Sequence, residues 1–337
     1  MNIMSSSRRG FLAGATNASL VGLAAAALPM ASGAASAATQ VRFGPGPLSG
    51  LPWHFGCSLS GIGAFEAYRG RRCDGYTIWN LHKTWTDIPS FNGGFSTLVK
   101  LPGRISMALS PFPDTLSAVD NPGLWDNAAR GAYDGVHTLF AQKLAASGRT
   151  NVIVRIGWEH NHTFPWYSGS NPKGYKAAFR RIVDILRRHN PTVLIDWTSV
   201  KKGYQKFSVL ETYPGDDWVD IIGVDYYDGF PALNDQATWD KQHNALYHGG
   251  PWGLGAWLAF AKSRGKRLSL PEWGISAGKS PGSKDNPFYI QKMFEFFTAN
   301  ATSIAYEHYF NQKPRHQLTP NDVNPLSSAK YKQLWGR

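Results

Sequence analysis

Cysteine is scarce in this sequence, and its scarcity limits the sites that the chain can build. There are two cysteines in 337 residues, Cys57 and Cys73. A metal site made of cysteine alone would need more ligands than these. In an oxidising compartment, two cysteines this close in the chain favour a disulfide across one loop, and two buried free thiols are the alternative. We predict the Cys57–Cys73 disulfide.

Long apolar segments, phosphate-binding loops and excess acidic charge are also missing. No segment after residue 37 approaches the roughly 18 apolar residues of a membrane span. No Gly-rich phosphate loop follows a predicted strand, and "GCSLSG" (56–61) is one residue too long for a nucleophile elbow. Acidic residues number 23 against 35 basic ones. The excess favours anionic neighbours, but no nucleic-acid-binding module accompanies it, so we expect no nucleic-acid partner.

The first residues have the pattern of an export signal. "SSSRRGFLAG" (5–14) precedes an Ala-rich apolar run that ends near "ASA" (35–37), a small-residue cleavage pattern. The paired arginines resemble a twin-arginine signal, and a retained anchor is the alternative. We therefore predict a cleaved signal over 1–37, a flexible lead over 38–52 and one catalytic domain over 53–337. The mature protein is expected to be periplasmic or extracellular, without a membrane span, and monomeric.

Strand-like and helix-like segments alternate along the rest of the chain. Eight segments rich in β-branched and aromatic residues are predicted strands: 53–58, 76–80, 104–110, 151–158, 192–198, 219–227, 267–273 and 303–310. Helical patterns fall at roughly 126–147, 173–189, 252–264 and 286–299. Eight such units predict an α/β fold, a single (β/α)8 barrel, with a doubly wound open sheet as the alternative.

Carboxylates stand at the ends of two predicted strands. The fourth strand runs into Glu159 in "VRIGWEHN" (154–161), and the seventh, "LSLPEWG" (268–274), runs into Glu272. In such a barrel the active site lies at the carboxyl ends of the strands. Two carboxylates facing each other across the barrel mouth can serve as nucleophile and general acid in retaining glycoside hydrolysis. A structural Arg155–Glu159 ion pair is the simpler interpretation of the fourth strand alone.

Three stretches resemble glycoside hydrolase family 26, whose typical members are β-mannanases. They are "VRIGWEHNHTFPWYSG" (154–169), "YPGDDWVDIIGVDYYD" (213–228) and "LSLPEWG". The resemblance implies a (β/α)8 barrel and a retaining endo-β-glycanase. It implies that Glu159 is the acid/base and Glu272 the nucleophile. It requires no metal and no organic cofactor.

The resemblance also implies roles for side chains around the two glutamates. Asp225 and Tyr227 match an Asp-x-Tyr on strand six, where the tyrosine holds the nucleophile. Arg155 and Asn161 match positions flanking the acid/base, Trp166 matches an aromatic sugar platform, and Trp273 follows the nucleophile. Trp158 stands where the family usually has histidine. Tyr309 and Phe310 stand where the family usually has tryptophan.

Both departures lie next to the expected sugar site, so the glycan stays open. β-Mannan, β-xylan, β-glucan and a bacterial exopolysaccharide, including an anionic one, are the candidate substrates. Two other functions remain open. His160 and His162 could bind a metal with Asp225 and His308, although no second His pair completes the set. A non-catalytic glycan-binding barrel would keep the aromatic residues but lose one of the two carboxylates.

Overall fold

Eight parallel strands form the centre of the protein. The computed structural model describes residues 43, 46–91, 93–279, 284–312, 315–320 and 323–336. The strands are β1 (Phe55–Ser58), β2 (Gly75–Trp79), β3 (Arg104–Leu109), β4 (Val152–Ile156), β5 (Leu194–Val200), β6 (Ile221–Tyr227), β7 (Arg267–Gly274) and β8 (Ile304–Tyr309). Each strand pairs in parallel with its neighbours in chain order, and β8 closes onto β1 through Phe55 and Glu307.

This closure confirms the predicted (β/α)8 barrel and excludes the open sheet. All eight predicted strands are present, with ends that differ by a few residues from those expected. A two-stranded antiparallel ribbon, Leu246–Tyr247 with Gly250–Pro251, is added between β6 and β7. The barrel places every strand's carboxyl end at one mouth, which is where the predicted site residues are.

Helices cover the outside of the barrel. They are α1 (Ile62–Arg69), α2 (Phe95–Leu98), α3 (Gly123–Ala129), α4 (Asp134–Ala146), α5 (Pro172–His189), α6 (Gln236–His243), α7 (Leu254–Ser263), α8 (Pro287–Ala299) and α9 (Pro325–Trp335). The helix predicted over 126–147 is two helices, α3 and α4. Helices α1, α2, α6 and α9 were not predicted. The first two begin at Gly61 and Gly94 without a side-chain cap, so they lack the usual sequence signal.

Helix α5 shows how the local sequence builds this layer. Asn171 caps it by accepting a hydrogen bond from the Gly174 amide at 2.9 Å, and Pro172 occupies the first turn, where its missing N–H costs nothing. The stripe predicted at helical spacing is buried throughout: Tyr175, Phe179, Ile182, Val183 and Leu186. The arginines of "RRIVDILRR" are left on the outer side, as expected for an amphipathic helix.

The apolar core has two parts because side chains alternate across each strand. The larger part lies between the strands and the helices, and the smaller part fills the barrel interior around Ile153, Leu194, Ile221 and Tyr306. Above this interior layer the buried side chains become polar. Asp196 accepts hydrogen bonds there from Ser269 at 2.6 Å and from Tyr306 at 2.7 Å. The barrel therefore grows more polar toward its mouth.

The predicted disulfide is not present. Cys57 and Cys73 are both buried and free, and the Cys57 thiol donates to the carbonyl oxygen of Ser58 at 3.3 Å. Burial, together with the neighbouring Cys57, raises the pKa of the Cys73 thiol well above its usual value. Spacing in the sequence places the two residues on neighbouring segments, but it does not fix the side-chain geometry that a disulfide needs.

The N-terminal predictions fall mostly outside the described residues. The signal over 1–37 lies wholly outside them. The described end of the predicted lead is packed, because the amides of Leu48 and Ser49 donate to Asp74 at 2.7 and 3.0 Å. None of the helices in the described part of the chain has the length and apolar character of a membrane span.

Candidate active site

Glu159 lies just beyond the carboxyl end of β4, on a backbone turn of unusual conformation. Its φ angle is +50°, and that of Gly157 is +54°, so both adopt the left-handed region. Glycine does so without strain, whereas a glutamate is held there at a cost of roughly 1 kcal/mol or more. The turn follows at once on the β-branched strand "VIVRI" and directs the Glu159 side chain into the mouth of the barrel. Strain of this kind is concentrated at functional sites.

Arg155 points into the barrel from β4 and is fully buried. Its Nη1 and Nη2 both donate to Oε1 of Glu272 at 3.1 Å, and Nη1 also lies 3.5 Å from Oδ2 of Asp225. Burial alone would lower the pKa of Arg155, but the charges of Asp225 and Glu272 raise it above its usual value. Arg155 is therefore a permanent cation. It pairs with Glu272 rather than with Glu159, so the simple ion pair considered from the sequence is not the one formed.

Three acidic or phenolic groups meet at this guanidinium because strand alternation places them on one face. Asp225 and Tyr227 are two residues apart on β6 and both point inward. Glu272 reaches the same place from β7, where the pairing register with β6 shifts between Gly223 and Tyr226. The Tyr227 hydroxyl donates to Oε2 of Glu272 at 3.3 Å. Glu272 thus has one oxygen held by Arg155 and the other held by Tyr227.

The two glutamates differ in their surroundings. Burial and the charge of Glu272 raise the pKa of Glu159 to about 8, while Lys279 and Arg155 act in the opposite direction. Among the described residues, no side chain donates a hydrogen bond to the Glu159 carboxyl. Glu272 instead accepts hydrogen bonds from Arg155 and from Tyr227. Glu159 is therefore protonated at neutral pH.

An open cleft of about 670 Å³ lies above this pair. Its lining comes from the loops after β4, β5, β6 and β7: Glu159, His162, Phe164, Val200, Lys201, Lys202, Gly203, Tyr204, Tyr227, Gly229, Phe230, Tyr247, Ser276 and Lys279. Its polar lining residues include Glu159, Tyr227 and Lys279. A concave site with a few convergent polar groups and perturbed pKa values is typical of an active site.

Asn161 and Trp166 support the loop after β4. The Asn161 side chain donates to the Val200 carbonyl oxygen at 3.0 Å and accepts from the Val200 amide at 2.7 Å. Trp166 is 2% exposed and donates its indole N–H to the Trp158 carbonyl oxygen at 2.8 Å, with the two rings 4.4 Å apart. The predicted sugar platform at Trp166 is therefore covered by protein. Phe164, on the same loop, lines the cleft instead.

Trp273 and Tyr309 point away from the barrel mouth. Each follows an inward-pointing residue on its strand and so faces the helices, where the two rings pack 5.0 Å apart. The Trp273 indole donates to the buried Glu307 at 2.6 Å, and Trp53 and Trp335 donate to the same carboxyl at 3.1 and 2.9 Å. The structure does not bring Trp273 and Tyr309 to the cleft. They support β7 and β8 from the side of the barrel that faces the helices.

The two histidines considered as metal ligands diverge. His160 is buried, and its two ring nitrogens lie 2.8 Å from the Ser168 hydroxyl and 2.9 Å from the Ser199 hydroxyl. Burial lowers its pKa to about 3. His162 lies in the cleft, whereas His308 is inside the barrel, 2.6 Å from the Thr77 hydroxyl. Within the described ranges no group of three or more His, Cys, Asp or Glu side chains is arranged to hold a metal ion.

Phe310, which the sequence placed with Tyr309 beside the expected sugar, lies at the mouth, whereas the lysines that line the cleft were not among the predicted site residues. Phe310 lies 5.9 Å from Trp79 and 6.0 Å from Tyr227, edge to face in both cases, and Trp79 in turn lies beside Arg155. Alternation along β8 was the available signal, because inward-pointing Tyr306 and His308 place Phe310 on the same side and Tyr309 on the other. No such alternation could predict that Lys201, Lys202 and Lys279 line the cleft, because side chains in these loops do not alternate regularly.

A closed parallel barrel with one carboxylate after β4 and another on β7 is the framework of a (β/α)8 glycoside hydrolase. Comparison with known proteins agrees. The model of glycosyl hydrolase family 26 matches residues 128–252, which include Glu159, Asp225 and Tyr227 but end before Glu272. The resemblance of this chain to glycoside hydrolase family 26 is thereby confirmed.

The individual relatives match only part of this chain or share low sequence identity with it. A mannan endo-1,4-beta-mannosidase of Bifidobacterium adolescentis is 30% identical over 166 residues, which are 46% of this chain and 16% of the relative. Endoglucanase H of Acetivibrio thermocellus is 28% identical over 180 residues, 50% of this chain and 18% of the relative. The chain thus spans less than a fifth of the length of either relative. The catalytic domain of a Bacillus endo-beta-1,4-mannanase superposes with a TM-score of 0.61 at 18% identity, covering 83% of this chain and 84% of that one, which supports the fold.

Proposed function

We propose that this protein is a retaining glycoside hydrolase of the endo-β-glycanase type. Glu272 is the nucleophile and Glu159 the acid/base. The observation that carries the proposal is the asymmetry of the pair. Glu272 accepts hydrogen bonds from Arg155 and Tyr227, while burial and the charge of Glu272 raise the pKa of Glu159 to about 8. Pairs of carboxyl groups whose environments separate their pKa values are characteristic of acid–base catalysis.

The reaction then proceeds in two displacements. In the first, a carboxylate oxygen of Glu272 forms a bond to the anomeric carbon, and the bond to the leaving sugar oxygen breaks as Glu159 donates its proton to that oxygen. In the second, Glu159 takes a proton from a water molecule, whose oxygen displaces Glu272 from the anomeric carbon. Configuration is retained because each displacement inverts it. Every group that the two steps require comes from the chain, the glycan or water.

The backbone of the substrate is a β-linked glycan, with β-mannan, β-xylan, β-glucan and a bacterial exopolysaccharide as candidates. The name of one relative, a mannan endo-1,4-beta-mannosidase, supports a β-1,4-linked polymer, whereas two others are named beta-1,3-xylanases. An anionic polymer is included because three lysines line the cleft. We further propose export by the twin-arginine route, on the strength of Arg8 and Arg9 before the Ala-rich run.

The first experiment measures reducing-end release from a panel of these polysaccharides. It compares the wild type with Glu272→Ala and with Glu295→Ala, a control that removes an exposed glutamate from the outer helix α8. We expect release by the wild type and the control, and none above background by Glu272→Ala. Binding of a glycan without release by any variant would favour a glycan-binding barrel. Release that persists in Glu272→Ala and stops with a chelator would favour a metal-dependent hydrolase.

A second experiment tests the covalent step directly. In Glu159→Gln, an aryl glycoside with a good leaving group needs no proton donor for the first displacement, but water is no longer activated for the second. The glycosyl-enzyme should therefore accumulate, with a burst of aryl alcohol and one added sugar mass on the peptide that contains Glu272. Steady turnover without a burst, or a label on another peptide, would contradict the proposed roles.

A further inference from the structure

The charges in the cleft are unevenly distributed. Its lining contains one carboxylate residue, Glu159, and three lysines, Lys201, Lys202 and Lys279. In the described part of the chain, no carboxylate lies within ion-pair distance of any of the three lysines. Like charges gathered in a cleft raise its potential and attract ligands of the opposite sign. The three lysines differ in whether the protein itself already binds their ammonium groups.

Lys201 is occupied by the protein itself. It is 5% exposed, and its ammonium donates to the carbonyl oxygens of Tyr227 at 3.2 Å and of Gly229 at 2.9 Å. Burial lowers its pKa to about 7. These bonds fix the end of β6, on which Tyr227 stands. Lys201 is therefore part of the framework of the site, and it leaves two lysines for a ligand.

Lys202 and Lys279 are exposed, and aromatic rings hold their ammonium groups in place. That of Lys202 lies 4.8 Å from the ring centre of Tyr247 and 5.1 Å from that of Trp252. That of Lys279 lies 6.0 Å from the ring centre of Tyr227. Rings orient a cation and reduce its freedom, but they do not neutralise its charge. Both ammonium groups thus remain available to an anion.

Lys279 is also close to the reacting groups. Its charge lowers the pKa of Glu159 and of His162, which line the same cleft. Two strongly exposed aromatic residues line the same cleft, Tyr204 at 59% and Phe230 at 54% exposure. Flat amphipathic rings of this kind suit the apolar faces of sugars. The cleft therefore combines stacking surfaces for sugar rings with fixed positive charges.

We infer that Lys202 and Lys279 form a subsite for anionic substituents on the glycan, so that the preferred substrate is an acidic β-glycan. The shared chemistry is a sugar that carries a carboxylate, as in a uronic acid, or a sulfate. This inference rests on the proposed function for the identity of the polymer as a glycan. It adds the substituent and the residues that recognise it. Ammonium groups bind either anion by charge-assisted hydrogen bonds.

The test uses matched glycans in a variant that cannot consume them. Neutral, carboxymethylated and sulfated forms of glucomannan, xylan and β-glucan are compared by affinity electrophoresis with Glu272→Ala protein. The lysine variant is Lys202→Gln with Lys279→Gln. The control is Lys262→Gln, an exposed lysine on the outer helix α7. We expect the acidic forms to bind roughly 10-fold more tightly than the neutral ones, with strong salt dependence.

That preference should fall to near unity in the double lysine variant and persist in the Lys262→Gln control. Preference for the carboxymethylated form would identify a carboxylate as the anion, and preference for the sulfated form a sulfate. Equal binding of neutral and acidic forms, or a preference that survives in the double variant, would overturn the inference.

Reducing-end release separates this result from the proposed function. If wild-type protein hydrolyses a glycan but shows no lysine-dependent preference, the hydrolase stands and the anionic subsite fails. If acidic glycans bind through the two lysines but are never hydrolysed, the subsite stands and the hydrolase fails.

Discussion

Both terminal nitrogens of Arg155 donate to a single oxygen of Glu272, Oε1, at 3.1 Å. Among the described residues, the Tyr227 hydroxyl alone donates to the other oxygen, Oε2, over a longer distance of 3.3 Å. Oε1 is thus bound by a buried cation. Oε2 has lone pairs that remain available, and it lies next to Tyr227, which lines the cleft. We expect Oε2 to be the oxygen that attacks the anomeric carbon.

Replacement of Arg155 by methionine should cost both stability and activity. It would leave Asp225 and Glu272 without their cation, and breaking one partner of a buried ion pair typically costs about 3–5 kcal/mol. Because Oε1 of Glu272 would lose both of its hydrogen bonds from Arg155, we also expect kcat/KM to fall on the order of 100-fold or more at neutral pH. Urea unfolding and initial rates measure the two effects.

The matched control for this variant is Arg181→Met, which breaks the exposed pair with Asp134 at 2.6 Å. Exposed pairs contribute roughly 0–1 kcal/mol, so this control should be nearly neutral. Equal stability and activity of the Arg155 and Arg181 variants would show that the buried cation has no special role.

The rate should decline on the alkaline side as Glu159 loses its proton. Its pKa is raised to about 8, so the acid form is present below that pH and is lost as the pH rises through it. The profile of kcat/KM should therefore have its alkaline midpoint near pH 8, and Glu159→Gln should be slow and flat across this range. Since Lys279 lowers this pKa, Lys279→Gln should move the midpoint upward. If Glu159→Gln still showed an alkaline midpoint near pH 8, and Lys279→Gln did not move that midpoint, another group would be responsible for the titration.

At position 159, replacement of the glutamate by glycine should give a more stable protein than replacement by alanine. The backbone there has φ +50°, which glycine adopts freely and alanine does not. We expect Glu159→Gly to be more stable than Glu159→Ala by about 0.5–1 kcal/mol, the reverse of the usual order, with both inactive on polysaccharide. Thermal unfolding of the two proteins decides the order. A less stable glycine variant would mean that the turn carries no strain.

Glu307 should matter for stability although it does not face the cleft. Its carboxyl accepts from three indole groups, those of Trp53, Trp273 and Trp335, and burial raises its pKa to about 8. Glu307→Ala would leave three buried donors without partners, at roughly 1–3 kcal/mol each when unsatisfied. We predict a loss of several kcal/mol in urea unfolding. The exposed control Glu295→Ala should be near neutral, and similar losses for both would remove the argument for the indole cluster.

The sequence predicted the barrel and the two catalytic candidates because both depend on local patterns. Apolar strands alternate with helices, and a glutamate follows a strand at both Glu159 and Glu272. The direction of a side chain was harder to infer. Tyr309 was assigned to the sugar site, but it points outward and Phe310 takes the inner position, because a one-residue change of phase reverses the faces of a strand. Trp166 likewise looked like a platform but is covered, in part by His82, which comes from a distant segment of the chain.

Asn161 binds both backbone polar groups of Val200, so the loop that presents Glu159 and the loop that begins at Lys201 are joined at their bases. Glu159, the proposed proton donor, and Lys202, proposed to bind the anion, would then move together rather than independently. Replacing the loop after β5 with that of a relative should therefore disturb catalysis as well as selectivity, unless Asn161 can make the same hydrogen bonds to the new loop. Variants that exchange these loops with those of relatives should exchange the two together.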